Sequence, residues 1–152
     1  MSTKSLAMET FNNLEVIYCE NEHAWEAWLA KNYRRHEGVW VKIARKSSGI
    51  PSVTHMEALD GALCYGWIDG QGKPYDDGAY YLQKFTPRRP KSAWSKVNIG
   101  KVEALIAAGR MQEPGFAAMA AAKADGRWER AYESQKHSIV PEDFAKALKS
   151  NL

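Results

Sequence analysis

The sequence predicts an α+β fold: a small, mainly antiparallel sheet packed with several helices, and a C-terminal third that is all helical. Three observations predict it. Runs rich in β-branched and aromatic residues at Leu14–Tyr18, Val39–Ala44 and Tyr80–Phe85 read as strands. Trp25, Trp28, Leu29 and Tyr33 fall at i, i+3, i+4 and i+8, one face of a helix. Beyond Pro90 the chain reads as helices separated by Gly109, Gly126 and Pro141.

Residues 1–10 form an expected flexible tail, and residues 11–152 a single domain, a length that suits one hydrophobic core. The first strand is followed by a helix that Asn21 caps and that runs to about Arg35. Gly38 ends it and opens the strand Val39–Ala44, in which Val39, Val41 and Ile43 alternate with Trp40 and Lys42. Arg45 to Pro51 is a polar turn. Thr54 and Glu57 fit a capping box, in which hydroxyl and carboxylate each satisfy an open backbone N–H. The helix they start, His55 to Tyr65, is expected to bury Met56, Leu59 and Leu63, and Gly66 stops it. Trp67-Ile68-Asp69 reads as a short strand, Gly70 to Gly78 as turns and Tyr80 to Phe85 as the returning strand. Ser92 or Ser95 caps a helix reaching Ala108, with Val102, Leu105 and Ile106 inside. Glu113-Pro114 opens another, since proline is tolerated in a first turn, and a last helix begins at Ile139.

Composition bounds the function classes. The formal net charge of +3 excludes a general polycation, and with no known reading motif specific DNA recognition is not expected. The 2 cysteines, Cys19 and Cys64, lack CxxC spacing, which argues against a disulfide framework and a cysteine zinc site. The 4 histidines show no metal spacing, so no metal or cofactor is expected. No apolar run approaches membrane-spanning length, and no secretory signal follows Met1, so the expected compartment is the cytoplasm.

The densest stretch runs from Ala62 to Asn98, where aromatics, carboxylates, arginines and hydroxyls crowd together without a single periodicity. From Gly78 to Val102 the chain carries Lys84, Arg88, Arg89, Lys91, Lys96 and Lys101 and no acid. A helix start leaves backbone N–H groups unpaired and bears partial positive charge. Arg88, Arg89 and Lys91 lie just before such a start, Ser92 and Ser95 add hydroxyls, and Asn98 lies one turn on. Guanidinium groups suit bidentate contacts to phosphate or carboxylate, so this cluster is a candidate anion site, with Trp94 as a flat wall. The plainer alternative is helix caps, a core tryptophan and arginines paired with carboxylates such as Asp76 and Asp77. Asp69, at a strand end, is expected either to position an arginine or to act as a general base; a turn residue or half of an ion pair is the structural alternative. Cys64, near a helix C-terminus, reads as a small buried hydrophobe.

Trp25-x-x-Trp28-Leu29, Gly38-Val39-Trp40-Val41, Glu57-Ala58-Leu59-Asp60, Ala62 through Gly70, Phe85-Thr86-Pro87-Arg88, Ser92-x-Trp94-Ser95-x-x-Asn98 and Gly109-Arg110-Met111 follow one another in order. Together they resemble the YdeI/OmpD-associated, or bacteriocin-protection, family over nearly the whole chain from Phe11. The resemblance implies a small bacterial cytosolic protein linked to envelope stress or antimicrobial-peptide resistance. It transfers no catalytic residues. It also implies a further helical region after a segment like Val140 to Leu148, which this sequence lacks.

The sequence therefore points to a module that binds an anionic ligand, whether nucleotide, nucleic-acid backbone or carboxylate metabolite, in a cleft between Asp69 and the Ser92–Asn98 helix start. Two alternatives stand beside it. One is a small enzyme with Asp69 as base and the arginines stabilising developing negative charge. The other is a protein-interaction module anchored by exposed Trp40 or Trp94.

Overall fold

The computed structural model describes residues 9–75 and 78–132. Of the expected tail, residues 1–10, the first eight lie outside the described residues, as do the Asp76 and Asp77 partners and the expected last helix from Ile139, while Thr10 pairs with Glu15 in a first strand. The chain forms two compact units. The first comprises the chain to Arg88 together with Met111–Ala117, and the second Arg89–Arg110 and the chain from Ala118.

The first unit is built on a five-stranded sheet of order β1-β2-β3-β5-β4. Its strands are β1 (Thr10–Phe11), β2 (Leu14–Tyr18), β3 (Val39–Ala44), β4 (Trp67–Tyr75) and β5 (Tyr80–Pro87). Helix α1 (Glu22–Asn32) links β2 to β3, and α2 (His55–Cys64) precedes β4. Asn12 and Asn13, with φ of 47° and 67°, make the tight turn between β1 and β2.

The structure overturns the predicted fold class in two respects. The sheet is mixed, because β2 and β3 pair in parallel, Val16 opposite Trp40 and Ile17 opposite Val41. The physical reason is α1: a helical crossover returns the chain to the end from which β2 started, so the next strand runs the same way. The C-terminal third is not all helical either. Helix α3 (Lys96–Ala107) and helix α4 (Glu113–Ala124) are followed by turns, and Tyr132 then forms a parallel bridge with Ser95.

Individual elements differ in instructive ways. β4 continues through Gly70, Gly72 and Pro74, where turns were expected. Proline and glycine are tolerated there because β4 is an edge strand carrying a bulge between Asp69 and Gly72. Met56 is 56 % exposed and Ile106 37 %, so neither belongs to the core that their spacing suggested. The capping box at Thr54 is present in full, with Glu57 N donating to Thr54 Oγ1 and Thr54 N donating to Glu57 Oε1.

The core of the first unit fills the sheet face that carries Val39, Val41, Ile43 and Phe85, with Trp25, Leu29, Leu59 and Leu63 also buried. Each such side chain contributes about 1.5–3 kcal/mol when fully buried. The Trp25 indole donates to Ala58 O at 2.8 Å, so its one polar atom is satisfied inside the core. Gly61 lets α2 approach α1: a Cβ there would stand 2.9 Å from Trp25 Cδ1. A smaller cluster of Val16, Trp40 and Leu82, flanked by Phe11, Leu14 and Tyr75, covers the opposite face. In the second unit Val102 and Leu105 of α3 are buried, and Trp94 meets Trp128 at a centroid distance of 5.0 Å.

Candidate functional site

Asp69 is the last residue of β4 before its bulge. Before it, Asp69 lies opposite Phe85; after it, Gly72 lies opposite Gln83. Gln83, 4 % exposed, spans the irregularity by donating Nε2–H to Gly70 O at 2.7 Å. Asp69 therefore shares the face of buried Phe85 and reaches the first residue of α2. Its Oδ2 lies 2.8 Å from His55 Nε2, the two side chains being 26 % and 38 % exposed. A carboxylate only accepts, so Nε2 carries the hydrogen of this contact.

His55 lines an open hollow of about 300 Å³ together with Ile43, Ala44, Arg45, Lys46, Thr54 and Tyr81. Local structure places each. β3 ends at Ala44; Arg45 leads into a single 3₁₀ turn at Lys46–Ser48; Thr54 caps α2. Arg45 stands with its guanidinium carbon 5.3 Å from the centroid of the Tyr81 ring. Burial pushes the Tyr81 phenol above its ordinary range, with the Arg45 charge pulling the other way, so at neutral pH it keeps its proton and can donate. Among the described residues neither Arg45 nor Lys46 has a carboxylate within ion-pair distance.

The residues singled out from the sequence divide between the units. Asp69 and Arg88 belong to the first, and Arg89, Lys91, Ser92, Trp94, Ser95 and Asn98 to the second. Asp69 meets His55 rather than an arginine. Arg88 follows β5, and its amide donates to Gly66 O at 3.0 Å. Arg89 and Lys91 are exposed. The α3 start is largely satisfied by the chain itself. Ser95 Oγ accepts from Asn98 N at 3.1 Å, and Lys96 N donates to Tyr132 O at 2.9 Å. Arg127 Nη1 donates to Ser92 O at 2.7 Å, and the same side chain holds Asp125. Trp40 and Trp94, 1 % and 2 % exposed, are buried rather than presented as anchors for a partner.

Sequence reasoning passed over Arg45, Lys46, His55 and Tyr81. Arg45 and Lys46 read as a polar turn, and His55 as a surface or satisfied histidine. The usable signal was positional: two cations directly after a strand and before a capped helix start are held near that helix end by a short connection.

A comparison with known families places the chain. The family model described as a domain of unknown function, DUF8412, matches residues 17–118. The chain belongs to that family. The match spans β3, α2, β4 and β5, and with them every residue lining the hollow. No curated protein and no solved structure matches the chain. Among the described residues no helix is long and apolar enough to cross a membrane, and no group of three or more His, Cys, Asp or Glu could hold a metal ion.

Proposed function

We propose that the first unit of this DUF8412 protein binds a small anionic molecule in the hollow between the end of β3 and the start of α2. The supporting observation is the convergence of Arg45 and Lys46, beside His55 and Tyr81, on one space of about 300 Å³. That volume is at the lower end for small-molecule pockets and suits a metabolite rather than a polymer. The guanidinium offers paired N–H donors to phosphate or carboxylate, and the ammonium adds a point charge. Thr54 and Tyr81 supply hydroxyls at the rim. This reading keeps the ligand class that the sequence suggests and moves its site from the α3 start to β3 and α2. On the resemblance to YdeI/OmpD-associated proteins, such a ligand would serve a stress-related role in the bacterial cytoplasm.

The His55–Asp69 contact favours a second reading at the same place, proton transfer. The acting base would then be His55, with Asp69 a positioning residue that sets its tautomer and angle. This differs from Asp69 acting directly, because the carboxylate oxygen is already engaged by the ring.

Titration of the protein with inorganic phosphate at low salt, followed by NMR, tests the binding reading. Saturable shifts at His55 and in the Arg45–Ser48 turn are expected, weakening as salt rises. They should be abolished in the Arg45→Ala/Lys46→Ala variant while its circular dichroism stays native. Shifts confined to Ser95–Asn98, or none at all, would overturn it.

A further inference from the structure

Beside the hollow described above lies a second one of about 230 Å³, lined by Arg45, Gly72, Lys73, Pro74 and Tyr81. The two share Arg45 and Tyr81. Strand register explains the arrangement. Ile43 lies opposite Tyr81 across β3 and β5, and Tyr81 lies opposite Pro74 across β5 and β4. The three side chains form one row, with Tyr81 in the middle, Ile43 lining the first hollow and Pro74 the second. The Arg45 guanidinium over the Tyr81 ring completes the partition. A guanidinium set against a ring offers five N–H donors, which the ring's π-face does not use up.

Among the described residues the charge on the two sides is one-signed: Lys46 lines one hollow, Lys73 the other, and Arg45 both, and no described Asp or Glu lines either. Among the described residues none of the three has a carboxylate within ion-pair distance. A ligand with one anionic group can engage the cations of one side, and a ligand with two can engage those of both.

We propose that the ligand carries two phosphate groups on separate atoms of one small carbon framework, straddling the Arg45–Tyr81 partition, with Lys73 holding the second group. The inference rests on the anion-binding reading of the first hollow and names its ligand class. Arg45 serves both groups, Lys46 the first and Lys73 the second.

Calorimetry with fructose 1,6-bisphosphate and fructose 6-phosphate as probes, on the full chain, tests it. The bisphosphate is expected to bind at least about tenfold more tightly, roughly what one added charge-assisted contact supplies. Lys73→Ala should erase that advantage while leaving the monophosphate within about twofold, and Lys46→Ala should weaken both. Lys73→Gln, which keeps the stem and removes the charge, should behave as Lys73→Ala and so separates charge from folding. Equal affinities for the two sugars, an equal loss of both on Lys73→Ala, or tighter binding of a short oligonucleotide would each overturn the two-phosphate proposal. Monophosphate binding without a bisphosphate advantage would sink this inference alone. No binding of either sugar would sink the parent reading with it.

Discussion

The Arg45–His55 region and the start of α3 are both basic, and both contain a helix N-terminus beside hydroxyl side chains. They differ in where their polar groups point. At the α3 start the chain serves itself: Ser95 caps Asn98, the Tyr132 carbonyl takes the Lys96 amide, and Arg127 spans Asp125 and the Ser92 carbonyl. At the start of α2 the capping box likewise closes on itself through Thr54 and Glu57, but among the described residues Arg45 and Lys46 have no carboxylate within ion-pair distance, and His55 lines the open hollow. The comparison teaches that density of charge along a sequence does not identify a binding site. What counts is whether charged groups converge without consuming one another.

The largest effect should come from removing the cations. Losing hydrogen bonds to a charged group costs about 1.5–3 kcal/mol. Arg45→Ala/Lys46→Ala is therefore expected to weaken phosphate binding by about 10- to 100-fold. Arg89→Ala/Lys91→Ala should change it by less than about twofold. Isothermal titration of the two variants side by side would break the comparison if their losses were equal.

Gly61→Ala probes the packing of α2 against α1. Its new methyl would meet Trp25 Cδ1 at 2.9 Å inside the core. Overpacking of this kind costs about 1–3 kcal/mol, measurable by urea denaturation, and the binding loss should track the unfolded fraction rather than precede it.

Ser95→Ala sharpens the structural side of the comparison. Removing an N-cap hydroxyl costs about 1 kcal/mol of stability. Phosphate affinity should stay unchanged, and a drop in affinity without a drop in stability would return the α3 start to the list of binding sites.

The smallest effect concerns Asp125. Desolvation opposes its ionisation, but hydrogen bonds and charge from Arg127, with the charge of Arg130, outweigh this and hold the carboxyl below its ordinary range. A lowered carboxyl stabilises the fold above its unfolded value, roughly 3.9, and that contribution is lost as pH falls through the folded value. Asp125→Asn should therefore be slightly less stable than the native chain at neutral pH and converge with it in strong acid. Tryptophan fluorescence during acid titration reads this directly, and a gap that widened on acidification would contradict it.

Much of the local structure was legible before any coordinates. Asn21, Thr54 and Ser95 cap α1, α2 and α3 as their types and positions suggest. Gly66, Gly109 and Gly126 end helical segments with φ of 76°, 76° and 83°. These are short-range facts: a cap or a left-handed glycine needs only its neighbours along the chain. Even the βαβ pattern of Leu14–Tyr18, α1 and Val39–Ala44 was visible, though its consequence, a parallel pair, went unread.

The site was far less legible. Asp69 stood out in the sequence, but its partner His55 lies 14 residues away. Tyr81 comes from a third element and Arg45 from a turn that composition alone marks as unremarkable. Their meeting depends on the strand register, which sets Asp69 opposite Phe85 and Tyr81 between Ile43 and Pro74.

What the sequence determined by itself, then, is where helices and strands begin and end, because capping, glycine freedom and side-chain periodicity act over a few residues. Only the tertiary structure decided which way β3 runs beside β2, which tryptophans are buried, and which cations share a hollow. Those outcomes rest on strand pairing and burial between segments far apart in the chain, and no local pattern encodes them.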